Sequence, residues 1–511
     1  MIALILSLLS ITLAKNWDLP GFDREGSHNP PDDYITTETI ESLSLKWTFT
    51  TGFWAFNQAS VKDEHVYFGD FAGHFYGVNL TTGVEIWEVQ LDGPVIGGTV
   101  VTKNNIYLCT MNGTCYKLNR YDGTTIWVQP TGGLQVWGSP IKIGTQLIVP
   151  TVPGSGTGIT EFQFFNTCCN GSGTVVSMST SSGAVQWTWT ALENPSGFVN
   201  VTVNYPNRFQ GLNSTSTLKY GPSGGGSWSK LVYSEDLGLV FGCLGDGYTP
   251  MANGKADPSA DSCFALDLDG NLRWKRSVRY LRNDFDDWWN DGLYYNGFRN
   301  IDPVTPMLYE LEDDDDVTRT VIAFGDKAGV WYVWDAATGV PINCQGINTT
   351  ALTPNSIVTS YGGFNMGPAY TKVQGEVNTF STSLTSTKLG YCLGSQCINE
   401  AYAAGALKAH LFAFSADGTR VVGHFSRNNT LFIGNIAITN KMLFMIDVYN
   451  RALLIFDARD ISTPLREIDL GSLMQGVGSI GQSLTISNGH VIFGSGVLGF
   501  PPVSKFIAFG I

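Results

Sequence analysis

A repeat that ends in tryptophan constrains the fold of this chain more than any other feature of its sequence. In each copy an alternating apolar run ends in Gly, a turn and a second run follow, and a Thr-Gly or Asp-Gly pair precedes the Trp. The clearest copies end at Trp87 and Trp127, which lie 40 residues apart, as do Trp47 and Trp87. Alternation indicates strands with one buried face, and four strands in a unit of about 40 residues are typical of β-propeller blades.

The repeated tryptophan itself has a structural interpretation, which we prefer to a functional one. A Trp at one fixed place in each blade packs between neighbouring blades and donates its N–H to a backbone carbonyl. We apply this interpretation to Trp87, Trp127 and Trp187.

The number of copies predicts eight blades, with seven or nine as the alternatives that the count leaves open. Near the C-terminus GHVIFGSGV and KFIAFGI supply inner strands, and LSLKWTFTTG near the N-terminus supplies the outer strand of the same blade. Closing the ring with both termini removes exposed strand edges. We therefore expect an all-β fold in which residues 15–511 form a single eight-bladed propeller. The outer strands are expected near Trp47, Trp87, Trp127, Trp187, Trp274, Val340, His424 and Arg466.

The first residues, MIALILSLLSITLA, form an apolar run that ends in small residues. Such a run is too short to span a bilayer and predicts a secretory signal over residues 1–14. No later stretch is long and apolar enough for a membrane span, so we expect a secreted or extracellular protein. Glycosylation sites of the Asn-x-Ser/Thr type agree with this route: they are Asn79, Asn112, Asn170, Asn200, Asn213, Asn348 and Asn428.

The charge balance excludes two classes of partner. The chain has 30 Lys and Arg against 44 Asp and Glu, a formal net charge of -14. A negative surface repels nucleic acid and anionic membranes. We therefore expect neither as a partner.

Nine cysteines in an oxidising compartment predict disulfides and one odd thiol. The adjacent Cys168 and Cys169 can bond to each other or elsewhere, and Cys344 is left free if they bond to each other. No Cys-x-x-Cys-His occurs, so the sequence gives no sign of covalently attached haem. The expected pairs are Cys109–Cys115, Cys243–Cys263, Cys392–Cys397 and Cys168–Cys169.

Several landmarks occur in a familiar order along the chain. They are WDLPGFDREGSHNP near the N-terminus, then CCNGSGTVVSMSTSSGAVQW, GPSGGGSW, GGFNMGPA and GHVIFGSGV. With the blade turns such as DAATG, they resemble the quinoprotein alcohol dehydrogenases, most closely the polyvinyl-alcohol-dehydrogenase-like branch. The resemblance implies pyrroloquinoline quinone (PQQ) with a calcium or lanthanide ion at the propeller centre.

The resemblance also assigns site residues, with departures from the family pattern. Trp228 takes the place of the Trp that stacks on the quinone, and the ring of Cys168 and Cys169 would cover its other face. Eighteen residues on, Asp246 replaces a metal-binding Asn and keeps an oxygen ligand. Trp289 occupies the position of the catalytic base, which leaves Asp291 as the candidate base and second metal ligand. The metal-binding Glu of the family has no clear counterpart.

Two functions of different class follow. The first is a secreted PQQ- and metal-dependent oxidoreductase that oxidises an alcohol, polyol or sugar-like substrate and passes electrons to a separate acceptor. The alternative is a cofactor-less propeller glycoprotein that acts as a binding or structural module. A glycan on Asn170, next to Cys169, would require that loop to face solvent and would favour the alternative.

Overall fold

The structure is a computed structural model. It describes residues 16–55, 57–132, 135–153, 171–193, 196–202, 215–245, 247, 251–252, 257, 259–278, 305–313, 316–326, 329–343, 347–348, 363–364, 367–386, 401–432, 434–474, 484–495 and 504–511.

Eight antiparallel sheets form the blades, which confirms the predicted all-β eight-bladed propeller. Blade 1 contains β2 (Ser60–Lys62), β3 (His65–Gly69), β4 (His74–Asn79) and β5 (Glu85–Gln90), and blade 2 contains β6 (Val100–Val101), β7 (Asn105–Cys109), β8 (Thr114–Asn119) and β9 (Thr125–Pro130). Blade 3 contains β10 (Ile141–Ile143), β11 (Gln146–Pro150), β13 (Thr174–Ser179) and β14 (Val185–Thr190), and blade 4 contains β18 (Val232–Ser234), β19 (Leu239–Cys243), β20 (Ser262–Asp267) and β21 (Leu272–Ser277). Blade 5 contains β22 (Met307–Glu312), β23 (Thr318–Gly325), β24 (Val330–Asp335) and β25 (Ile347–Asn348), and blade 6 contains β26 (Gly363–Phe364), β27 (Ala369–Val373), β28 (Glu376–Ser386), β29 (Leu407–Ser415) and β30 (Val421–Asn428). Blade 7 contains β31 (Ala437–Thr439), β32 (Met442–Asp447), β33 (Ala452–Asp457) and β34 (Arg466–Asp469), and blade 8 contains β35 (Thr485–Ser487), β36 (His490–Gly494), β37 (Lys505–Gly510) and β1 (Ser44–Thr50).

Smaller elements lie between the blades. Strand β12 (Gly171–Ser172) pairs with β17 (Ser223–Gly224), and β15 (Gly197–Thr202) pairs with β16 (Thr215–Tyr220). Short 3-10 helices span Ile40–Ser42 and Gly471–Leu473. Among the described residues, no helix has the length and hydropathy needed to cross a membrane.

Both ends of the sequence build blade 8. Strand β1 pairs antiparallel with β37, from Ser44 opposite Gly510 to Thr50 opposite Lys505. The closing blade packs on blade 1, where the rings of Phe68 and Phe506 stack with centroids 3.8 Å apart. The ring therefore closes as the sequence predicts.

Five tryptophans join successive blades in the predicted way. Each lies on an outer strand and donates its Nε1–H to a carbonyl in the turn between the third and fourth strands of the next blade. The pairs are Trp47 with Leu80 (2.7 Å), Trp87 with Arg120 (3.1 Å), Trp127 with Thr180 (3.2 Å), Trp187 with Leu268 (2.8 Å) and Trp274 with Ala336 (2.8 Å).

The outer strand expected near Val340 pairs with β24 but is irregular. Pro341 bridges Trp334, and the N–H of Ile342 donates to the carbonyl of Val333 at 2.8 Å. The regular part of the fourth strand is β25, which pairs with Val330 and Trp331 of β24.

The N-terminal strap, residues 17–32, runs around the propeller axis. Its backbone and one side chain accept hydrogen bonds from the innermost strands, or the turn that follows them, in seven blades. The pairs are Val61 N–H to Trp17, Val101 to Asp18, Tyr233 to Arg24, Leu308 to Glu25, Tyr370 to Ser27, Ile438 to His28, and Gly489 to the Asp32 carboxylate. Inside this loop the ring of Trp17 contacts Phe22 and His28. The strap therefore fills the centre of the ring.

The strand order determines which connections between strands share a face of the propeller. In a four-stranded antiparallel blade, the loop between the second and third strands and the loop to the next blade leave the same face. In blades 3 and 4 the connections from β11 to β13, β14 to β18, β19 to β20 and β21 to β22 begin and end at this face. We call it the upper face.

Candidate functional site

Two segments of the upper face meet beside Trp228. Strand β12 follows the predicted cysteine pair directly, and it pairs in parallel with β17, which leads to Trp228. The N–H of Gly173 donates to the carbonyl of Gly224 at 2.9 Å. The chain that leaves the cysteine pair therefore lies against the chain that enters the Trp228 segment.

A third segment joins them from blade 4. The N–H of Gly245 donates to the carbonyl of Gly226 at 2.8 Å, and Gly247 forms an antiparallel bridge with Gly224. Asp246 lies outside the described residues, but its neighbours on both sides are held against residues 224–226. The backbone thus brings together described neighbours of three of the four segments that the sequence assigned to one site, and the fourth, around Asp291, lies outside the described residues.

Close backbone contact explains the run of glycines before Trp228. A Cβ on Gly173 would lie 2.2 Å from the carbonyl oxygen of Gly225, and one on Gly226 would lie 2.9 Å from Val152. A Cβ on Gly138 would lie 2.4 Å from the carbonyl oxygen of Ser229. Side chains at these positions would force the segments apart, so the glycines permit the convergence.

Trp228 is half-buried and shares its environment with a second indole. The ring centroids of Trp137 and Trp228 lie 4.5 Å apart, with the planes tilted by 45°. The Nε1–H of Trp137 donates to Oε1 of Gln135 at 3.0 Å, which orients the ring. Sequence reasoning missed Trp137; the available signal is its place ten residues after Trp127, outside the 40-residue repeat.

Two hydroxyl groups flank Trp228 without an assigned role. Ser227 is 1% exposed and Ser229 is 6% exposed. Neither Oγ has a hydrogen-bond partner among the residues that the structure describes. A buried hydroxyl without a partner costs free energy, and a planar ligand with carboxylate oxygens stacked on Trp228 would supply acceptors. The residues present therefore fit an aromatic, carboxylate-bearing group such as PQQ.

Lys230 connects the Trp228 segment to the N-terminal strap. Its Nζ donates to the carbonyl oxygen of Asp23 in the strap at 2.6 Å. Burial lowers the pKa of Lys230 to about 8, while Asp23 and Glu25 act in the opposite direction. The ammonium group thus ties the Trp228 segment to the strap.

The other residues predicted to bind the cofactor or the metal lie outside the described residues: they are Cys168, Cys169, Asp246 and Asp291. The predicted disulfide partners Cys392 and Cys397 also lie outside them. In the part of the chain that the structure describes, no three His, Cys, Asp or Glu side chains converge as metal ligands. The disulfides Cys109–Cys115 and Cys243–Cys263 are present.

The predicted glycosylation sites differ in their surroundings. Asn200 and Asn428 are exposed, and Asn79 is half-buried in a turn. The Nδ2 of Asn112 donates to the carbonyl of Asp92 at 2.5 Å. Asn348 is the last residue of β25, while Asn170 and Asn213 lie outside the described residues.

This architecture defines an eight-bladed β-propeller of the quinoprotein alcohol dehydrogenase type. Quinohemoprotein alcohol dehydrogenase ADHIIG from Pseudomonas putida HK5 superposes with a TM-score of 0.71 over 97% of this chain and 80% of its own, at 15% identity. A europium-containing methanol dehydrogenase gives a TM-score of 0.69 over 97% of this chain and 98% of its own, at 14% identity. At these identities the likeness concerns the fold.

Sequence comparison supports the same resemblance. A family profile described as outer membrane protein assembly factor BamB matches residues 36–219. A polyvinylalcohol dehydrogenase from Pseudomonas sp. is 23% identical over 347 residues, which are 64% of this chain and 50% of the relative. The chain thus spans about half the length of that relative. The predicted resemblance to quinoprotein alcohol dehydrogenase-like propellers is confirmed.

Proposed function

We propose that this protein is a secreted PQQ-dependent oxidoreductase that oxidises an alcohol or polyol. The observation that carries the proposal is the convergence of the three upper-face segments beside Trp228. That convergence brings the surroundings of Asp246 and of the cysteine pair to one place. The resemblance to a polyvinylalcohol dehydrogenase supports an alcohol or polyol as the substrate class.

The residues of this chain would share the work as follows. Trp228 provides an aromatic surface for the quinone, and Ser227 and Ser229 provide hydroxyl donors beside it. Asp246 and Asp291 would bind calcium or a lanthanide, which prefer carboxylate oxygens. Asp291 would also accept the proton of the substrate hydroxyl.

When bound, PQQ supplies a two-electron acceptor for alcohol oxidation. A separate electron acceptor must then reoxidise it. The cysteine pair would cover the face of the quinone opposite Trp228, which keeps water from the reacting atoms.

One observation favours the alternative, a cofactor-less binding module. Trp137 already lies against Trp228 with a centroid distance of 4.5 Å. If both faces of Trp228 are covered, no surface is left for a quinone. The sequence adds Trp289 in the position of the base, where it can neither bind metal nor accept a proton.

The test is an equilibrium titration of the purified glycosylated protein with PQQ, alone, with calcium and with lanthanum. We expect saturable binding that a cation strengthens. Replacing Trp228→Ala should weaken it about tenfold or more, because stacking and burial on the ring are lost. Trp189→Phe, on strand β14, serves as the control and should leave the affinity unchanged.

A glycopeptide map of Asn170 belongs to the same experiment. An unmodified Asn170 together with PQQ binding supports the quinoprotein. Absence of binding under every cation, with a glycan on Asn170, would overturn the proposal in favour of the binding module.

A further inference from the structure

Buried polar atoms without partners meet at the centre of the N-terminal strap. Trp17 is 0% exposed and His28 is 1% exposed. Neither Nε1 of Trp17 nor either ring nitrogen of His28 has a hydrogen-bond partner within the described parts of the chain. The two rings are neighbours, with centroids 6.0 Å apart and an edge-on arrangement.

The ammonium group of Lys230 opens onto the same place. A Cβ built on Gly21 would lie 2.6 Å from Nζ of Lys230 and 3.0 Å from Nε2 of His28. The two nitrogens therefore lie on the same side of Gly21. An ammonium group has three protons, and the carbonyl of Asp23 accepts one of them.

An indole N–H without a partner is not in itself a sign of a ligand. Trp331 and Trp334 also lack partners among the described residues. Each, however, belongs to an apolar cluster of blades 4 to 6, in which Trp331 stacks on Phe414 at 4.8 Å and Trp334 meets Phe324 edge-on at 4.7 Å. At the axis the indole instead lies edge-on to the imidazole of His28, whose Nε2 is on the same side of Gly21 as the ammonium group of Lys230.

The chemistry of these groups decides what can occupy the space. The N–H of Trp17 and the ammonium group of Lys230 are donors only, so they exclude a metal cation. Asp23 and Glu25 interact with Lys230 and already exceed its single positive charge, so an anion would add uncompensated negative charge in a buried place. The occupant must be neutral, and it must accept from Trp17 and Lys230 while donating to the unprotonated nitrogen of His28.

We propose that the axis of the propeller holds a buried hydration site, in which one or two water molecules bridge Trp17, His28 and Lys230. Buried water is retained where it finds two to four polar partners, and this cluster supplies that number. The bridge would join strap residues that pair with blades 1 and 7 to the lysine that follows Trp228 by two positions. It would thus fix the strap beneath the candidate site, whether or not a quinone binds there.

The test compares the same substitution at two buried tryptophans. Trp17→Phe removes the N–H that would bind water, and Trp331→Phe removes an N–H that faces apolar side chains. With a water at the axis, we expect Trp17→Phe to lower the Tm more than Trp331→Phe does, because a water loses its donor. An equal or smaller fall for Trp17→Phe would overturn the proposal.

A crystal structure of the unaltered protein at about 1.5 Å resolution tests the proposed hydration site independently. We expect electron density for water within hydrogen-bonding distance of Nε1 of Trp17 and of a ring nitrogen of His28. Absence of such density would overturn the proposal even if the variant failed to fold. Neither measurement depends on PQQ binding, so its outcome is separate from that of the proposed function.

Discussion

At the scale of single residues, the blade junctions depend on contact between an indole and a glycine. A Cβ on Gly123 would lie 2.7 Å from Cε3 of Trp87, and Gly83 and Trp47 repeat the arrangement at 2.6 Å. These glycines have φ of +72° and +68°, a region that side chains disfavour. One residue therefore satisfies both the turn and the packing of the indole.

This arrangement predicts the effect of a single methyl group. Gly123→Ala should destabilise the protein through the positive φ, by about 1 kcal/mol, and further through collision with Trp87. Gly238→Ala is the matched control, because Gly238 has a φ of +65° and a Cβ added there would meet no atom within 4 Å. Urea unfolding of both variants measures the difference, and equal losses would show that the indole contact contributes nothing.

At the residue scale, one blade junction could not be predicted from the sequence. The Trp repeat identified five junctions correctly because one residue type recurs at one place. At the next junction Gly418 packs on Val333, and the hydroxyl of Tyr309 donates to the carbonyl of Ala416. Asn343 adds a bond from Nδ2 to the carbonyl of Gly418 at 2.9 Å. Side chains from β22, from β24 and from the segment between β24 and β25 replace one indole, and no sequence period can reveal such a substitution.

At the scale of elements, two disulfides tie together strands that are already paired. Cys109 lies opposite Cys115 in the β7–β8 register, and Cys243 lies opposite Cys263 in the β19–β20 register. The bonded cysteines are separated by 6 and 20 residues. The longer loop contains the Asp246 segment of the candidate site.

Loop length predicts how much each bridge contributes. Closing a longer loop removes more conformational entropy from the unfolded chain, about 3 kcal/mol for a loop of about 15 residues. The double variant Cys243→Ala, Cys263→Ala should therefore lose more unfolding free energy than Cys109→Ala, Cys115→Ala. Guanidinium unfolding under non-reducing conditions compares the two, and the reverse order would contradict the loop-entropy explanation.

Element by element, the sequence predicted the strands well and the strap not at all. Inner strands such as β3 and β7 are recognisable as short apolar runs followed by a turn, since four consecutive residues of each are buried. The strap has no period, because its residues 17–32 meet a different blade every few positions. Its role depends on partners such as Ile438 and Gly489, more than 400 residues away. A separation of about 200 residues likewise concealed the meeting of Lys230 with His28.

At the scale of the whole molecule, buried neutral histidines link stability to pH. Burial lowers the pKa of His28 and of His410 to about 3. Burial also lowers the pKa of His65, His424 and His490. Below the ordinary pKa of 6.5 the unfolded chain gains protons that the folded chain does not, so folding stability must fall as the pH drops.

The expected loss between pH 7 and pH 5 is roughly 2 kcal/mol for each of His28 and His410. Most carboxylates stay ionised in this window, so the histidines dominate the change. Urea unfolding at the two pH values measures it, and His410→Gln should reduce the difference by roughly 2 kcal/mol. A stability that is equal at pH 7 and pH 5 would show that these histidines do not remain neutral in the folded protein.

The strap and strand β1 have a consequence for how the protein is made. Both lie within residues 17–50, yet their partners include Gly489 and strand β37, which are synthesised more than 400 residues later. At about 5 to 20 residues per second, the N-terminal segment waits on the order of 25 to 100 s before those partners exist. The ring can therefore close only after β37 has been synthesised, and until then the unpaired β1 edge and the apolar Trp17 side chain are exposed to chaperones.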